Sequence, residues 1–134
     1  MTAFGQSAEQ SSPKPILIVD DNDQVRYLMA RALKDAGYTV LEASDGPSAL
    51  DLLAEGFEIQ LLVTDILMPG LSGLEVASHV MAAFQVPVLF VSAHAQQSAE
   101  IPGPILWKPF TSAMLVDTVK RLLAVTGSPA KPAI

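Results

Sequence analysis

Five polar side chains in this 134-residue sequence close apolar runs. Asp20 and Asp21 follow Ile16-Leu17-Ile18-Val19, Asp65 ends Leu61-Leu62-Val63-Thr64-Asp65, Ser92 ends Val88-Leu89-Phe90-Val91-Ser92, and Lys108 follows Ile105-Leu106-Trp107. Three carboxylates brought together disfavour one another's ionisation unless a cation offsets them. Mg²⁺ is suited to that role, because it takes oxygen ligands octahedrally, keeps several waters and completes its shell with phosphate oxygens. With a lysine ammonium and a serine hydroxyl on the other side of Asp65, these are the parts for phosphoryl transfer. A carboxylate can attack phosphorus while metal and ammonium stabilise charge on the transferring oxygens, giving an aspartyl phosphate. Each member alone has a structural explanation, since Asp is a common capping and turn residue. One acid after the first run is needed as a helix N-cap, with Asp23 the first choice and Asn22 or Asp21 as alternatives.

For the five to meet, the runs must be strands whose carboxyl ends share one edge, where ligands of open α/β sheets bind. Between the runs the spacing turns helical. Val25, Leu28, Met29, Ala32, Leu33 and Ala36 make one apolar stripe, which Gly37 ends in left-handed geometry. Tyr38 to Ala43 reads as a second strand, and Ser44-Asp45-Gly46-Pro47 as the turn into a short helix ending near Gly56. Ile59 to Asp65 is the third strand, and Leu74, Ala77, Val80, Met81 and Phe84 mark the next helix, with His79 off its stripe on the solvent side. Val86 to Ser92 is the fourth strand. Ala93 to Pro104 carries no trustworthy helical stripe and reads as a loop that includes His94. Ile105-Leu106-Trp107 is a short last strand, and Thr111 or Ser112 caps a final helix with apolar pairs at Met114/Leu115, Thr118/Val119 and Leu122/Leu123. Strand and helix in alternation imply right-handed crossovers and a parallel sheet covered on both faces.

Composition narrows the function classes. Half the residues are apolar and the length suits one domain. Cysteine is absent, which removes disulfide frameworks and thiolate-ligated zinc. No apolar run approaches the roughly 18 residues that span a bilayer, and the first residues lack a signal peptide's basic start, so a cytoplasmic protein without membrane attachment is expected. The net charge of -6, with eight scattered basic residues, argues against a nucleic-acid partner. Residues 1–14 are expected to be a disordered lead-in, 15–124 the folded domain and 125–134 a tail.

Val19-Asp20-Asp21 followed by Arg26, Thr64-Asp65 with Met68-Pro69-Gly70 and Gly73, Val91-Ser92-Ala93, and Lys108-Pro109-Phe110 occur in that order. As a set they resemble the response-regulator receiver domain of two-component signalling. The resemblance implies a flavodoxin-like fold, a doubly wound five-stranded parallel sheet of order 2-1-3-4-5. It implies Asp65 as phosphoacceptor, and Mg²⁺ held by Asp20, Asp21, Asp65 and the Leu67 backbone carbonyl. Ser92 would sense the phosphoryl group, Lys108 would contact it only once it is present, and Ala93 would leave room beside it. The donor would be a histidine kinase or histidine phosphotransferase, and output would pass to a downstream protein. The chain would catalyse nothing beyond its own phosphorylation and dephosphorylation, as a monomer or weak dimer. Two features depart from the family. Ile105 stands where an aromatic switch is usual, and Trp107 is expected on the opposite face. The 15 residues 93–107 between Ser92 and Lys108 leave the fourth helix reduced or absent, as in a subgroup of receivers.

Other readings fare worse. A phosphatase of aspartyl-phosphate type would want a second acid two residues after Asp65, where Leu67 stands. A flavin carrier would want a Ser/Thr- and Gly-rich loop where Asp20-Asp21-Asn22-Asp23 would repel phosphate. A non-phosphorylated interaction module, or a receiver excised from a hybrid kinase, remains as the alternative.

Overall fold

The computed structural model describes residues 14–93 and 101–126. Five parallel strands, β1 (Ile16–Val19), β2 (Val40–Ala43), β3 (Leu61–Asp65), β4 (Val88–Ser92) and β5 (Ile105–Trp107), form one sheet in the order β2-β1-β3-β4-β5. This is the 2-1-3-4-5 order expected of a doubly wound sheet. Four helices cover it among the described residues: α1 (Asp23–Asp35), α2 (Gly46–Ala54), α3 (Gly73–Phe84) and α4 (Ser112–Thr126). The three central strands β1, β3 and β4 are buried along their whole length, which is why they read as continuous apolar runs and not as alternating ones.

Strand alternation splits the core into two layers. Leu17, Val19, Leu62 and Phe90 face Ala49 and Leu53 of α2 and Val76, Ala77 and Val80 of α3. Ile16, Ile18, Leu61, Val63, Leu89 and Val91 face Met29 and Leu33 of α1 and Leu115 and Val119 of α4. Each fully buried Leu, Ile or Phe contributes about 2 kcal/mol of transfer free energy. On β5, Ile105 packs with the first layer and Leu106 with the second. Period two therefore puts Trp107 on the face of Ile105, not on the opposite one as expected; residues 105 and 107 are an even step apart.

Helix ends explain where the strands stop. Asn22, not Asp23, caps α1: its Oδ1 accepts from the N–H groups of Gln24 and Val25, both at 3.0 Å. Asp45 caps α2 through the Ser48 N–H at 2.8 Å. Ser72 and Glu75 form a reciprocal capping box on α3. The Thr111 hydroxyl accepts from Met114 N–H at 3.1 Å, so Thr111 and not Ser112 caps α4. That helix runs to Thr126, two residues beyond the expected boundary at 124.

Between β4 and β5 the described residues 101–104 are not helical. Ile101 packs against the first core layer, and Gly103 lies so near the Phe90 ring that a Cβ there would meet a ring carbon at 3.3 Å. Residues 94–100, with His94, lie outside the described residues, as do 1–13 of the expected lead-in and 127–134 of the tail. Lys14 is described and pairs with Glu58 at 3.3 Å. No helix among the described residues is long and apolar enough to cross a membrane.

Candidate functional site

The strand registers bring the carboxyl ends together. Val19 lies beside Thr64, Asp65 beside Val91, and Ser92 beside Trp107. Asp20 and Asp21 thus leave β1 next to the end of β3, and Asp65 faces the end of β4. Lys108 continues the last ladder by donating its N–H to the Ser92 carbonyl at 2.8 Å, and its peptide bond to Pro109 is cis.

One carboxylate oxygen each from Asp20, Asp21 and Asp65 lies within 4.8 Å of the others, close enough to share one cation. Their environments differ. Asp20 is fully buried and Asp65 nearly so, whereas Asp21 is exposed. The Lys108 ammonium lies between the two buried acids, 3.1 Å from Asp20 Oδ2 and 3.6 Å from Asp65 Oδ2. The expectation that this lysine waits for a phosphoryl group is therefore revised: it already neutralises Asp20. The other Asp20 oxygen accepts from the Asn22 N–H at 2.9 Å. Asp65 has less support, and burial pushes its carboxyl up to about 6, helped by the Asp20 and Asp21 charges and opposed by Lys108 and the Ile66 N–H.

Ser92 is buried at the end of β4, one residue past the register partner of Asp65. Leu67 lies two residues beyond Asp65 in the β3–α3 loop with an exposed side chain. All five sequence-predicted side chains thus come to one edge. His79 is exposed on α3, as expected.

Three residues of the sequence motifs, Thr64, Gly73 and Arg26, make contributions that the motifs alone do not assign. The Thr64 hydroxyl donates to the Asp65 carbonyl at 2.9 Å. Gly73 presses on that same carbonyl: a Cβ there would stand 1.9 Å from it. Glycine in the first turn of a helix is a poor propensity choice, which was a legible signal of close approach. Arg26, noted only as part of a motif, reaches back from α1 to donate to the Asp20 carbonyl at 2.8 Å.

A hydroxyl, an ammonium and three acids converging where an open sheet binds ligands can host an anionic group beside a cation. Comparison with known proteins points the same way. Residues 16–120 match the family described as the response regulator receiver domain. The chemotaxis protein CheY of Pseudomonas aeruginosa is 36% identical over 118 residues, which cover 80% of this chain and 94% of that protein. YrkP of Bacillus subtilis, described as an uncharacterized transcriptional regulatory protein, is 35% identical over 75% of this chain. There the match spans only 45% of the relative's length. Among solved structures, the response regulator TrrA of Thermotoga maritima in complex with Mg²⁺ and BeF superposes with a TM-score of 0.74 at 31% identity, covering 82% of this chain and 99% of that one. Sheet order, acid cluster and family match agree: the chain belongs to the response regulator receiver domains of two-component systems.

Proposed function

We propose that the chain accepts a phosphoryl group on Asp65 from a histidine kinase or histidine phosphotransferase and signals by binding a downstream protein. A lysine held between two buried acids at the open edge of the sheet carries this reading. A purely structural lysine would satisfy one of them and leave the other unburied, because uncompensated buried charge is strongly unfavourable. Asp65 is the acid that an incoming group can use. It sits between Asp20 and the end of β4, and it is the less fully neutralised of the two.

The donor set suits Mg²⁺, being all hard oxygen in a cluster whose charge exceeds what one lysine offsets. Asp20, Asp21, Asp65 and the Leu67 carbonyl would hold the ion, which when bound supplies positive charge against the transferring oxygens. The chain's own residues do the rest. An Asp65 oxygen forms the new bond to phosphorus as the bond from phosphorus to the donor nitrogen or oxygen breaks. Lys108 then transfers part of its contact from the acids to a phosphoryl oxygen, and the Ser92 hydroxyl donates to another. The receiver spans residue 15 to the end of α4 at Thr126 and works in the cytoplasm, without a nucleic-acid surface of its own.

Mass spectrometry of the intact chain after incubation with acetyl phosphate and Mg²⁺ tests this. Wild type should gain one phosphoryl group, and Asp65→Asn, or wild type with the metal chelated, should gain none. Equal labelling of Asp65→Asn would remove Asp65 from the role.

A further inference from the structure

Arg26 is an unusual surface residue. Its side chain is only 16% exposed, and each of its three guanidinium nitrogens has a different partner: Nη1 the Asp20 carbonyl at 2.8 Å, Nη2 Asp23 at 2.8 Å and Nε Glu42 at 3.2 Å. Its own N–H donates to the Asn22 carbonyl at 2.9 Å in the first turn of α1. The guanidinium therefore clamps the β1–α1 turn from both sides and ties it to β2 through Glu42.

Asp21 lies inside that clamp. Asp20 is secured by its own contacts with Lys108, Asn22 N–H and, through its backbone N–H, the Ala43 carbonyl. Asp21 by contrast is exposed, and what places its carboxylate near the other two is the backbone on either side of it. An exposed ligand on a loose turn must be ordered each time a cation binds, whereas a turn already held needs no such ordering.

We propose that Arg26 is a positioning residue for the cation site, holding the turn so that Asp21 is preset for a divalent cation, with Glu42 as its anchor on the neighbouring strand. This rests on the metal site assigned under the proposed function. It also carries a sign that separates it from simple electrostatics. Arg26 is a positive charge near three carboxylates, so by Coulomb's law alone its removal should tighten binding of a cation. Positioning predicts the reverse. Lysine keeps the charge but offers one nitrogen, which cannot span three partners.

Mg²⁺ titration of the full chain by isothermal calorimetry decides between them, with far-UV circular dichroism to show that each variant is folded. Arg26→Gln should weaken Mg²⁺ binding about tenfold, the scale seen when groups that orient metal ligands are removed. Arg26→Lys should weaken it several-fold despite its unchanged charge. Glu42→Gln should weaken it less, and should add nothing in the Arg26→Gln background, where a pure charge effect would persist. If Arg26→Gln fails to fold, Arg26→Lys and Glu42→Gln carry the comparison. Binding unchanged or tightened in Arg26→Gln, or Arg26→Lys indistinguishable from wild type, overturns the inference while leaving the metal site standing. Wild type that binds no Mg²⁺, or binding that survives Asp20→Asn, overturns the metal site and this inference with it.

Discussion

At the scale of single residues, the two buried acids are treated differently. Asp20 has a lysine, a backbone N–H and a guanidinium on its own carbonyl, whereas Asp65 is pushed up to about 6 by burial. A carboxyl whose folded value exceeds its unfolded value of 3.8 holds its proton longer in the native state. The native state then binds more protons than the unfolded chain between those two values, so stability falls as pH rises through that window. In metal-free protein this amounts to about 2–3 kcal/mol above the window. Asp65→Asn should flatten that segment of the stability curve, measured by urea unfolding from pH 3 to pH 8 in chelator, on the order of one curve per half unit. A variant with the same slope as wild type would place the titration elsewhere. Lys108→Ala should destabilise the metal-free protein by about 2 kcal/mol, since it strands buried Asp20, and Mg²⁺ should restore most of the loss. Unchanged stability would mean that the pair contributes nothing. The ends of the strands were legible because each acid closes an apolar run. The Lys108–Asp20 pair was not, because it joins residues 88 positions apart whose meeting depends on the crossovers between them.

Elements were legible to the extent that their signals are local. The start of α1 shows the limit: Asn22, Asp21 and Asp23 are chemically near-equivalent caps, and the choice fell to Asn22 because Asp20 turns back onto its N–H and sets its backbone. On α3 the stripe from Leu74 missed Val76, which is fully buried, while Leu74 is only partly so. Here the helix packs against both the sheet and the neighbouring α2, so its buried arc is wider than one stripe. β5 read correctly over Ile105–Trp107 because Pro104 and Pro109 bracket it. Gly73 joins this scale to the site. Its N–H donates to the Ile66 carbonyl at 2.9 Å, and its Cα lies against the Asp65 carbonyl. Gly73→Ala drives a methyl into backbone that cannot give way without displacing either β3 or α3. A loss of about 3 kcal/mol or more is expected by urea unfolding, against a gain of a few tenths had the position been a free helix start. A neutral or stabilising Gly73→Ala would show that the loop can yield.

Across the whole molecule, the question is which face responds to the site. The face built on β5 and α4 is bounded by Pro104, Ile105, Leu106, Met114, Asp117, Thr118, Arg121 and Leu122. Its charges are spent locally, since Arg121 and Asp117 pair along α4 at 3.0 Å. Met114 and Trp107 are the large apolar side chains exposed along β5 and α4 before the last turn, at 48% and 39%. Two such residues fall well short of the roughly 1,000 Å² of complementary surface that a specific interface needs. Ile105, in the position where a larger ring would couple the site to this face, is already packed into the first core layer. It is partly buried there and too short to make the large in-and-out swing of a ring, whereas a two-state element is what population shift requires. The chain should therefore stay monomeric when the phosphorylated state is mimicked by beryllofluoride with Mg²⁺, as read by multi-angle light scattering at concentrations on the order of 100 Kd for a micromolar dimer. A dimer that forms only with the mimic, and that Met114→Glu dissolves, would show that this face is the output surface after all. A dimer indifferent to Met114→Glu would place the contact elsewhere, and substitution of Leu28, exposed on α1 and lining a groove with Lys108, would test that face next.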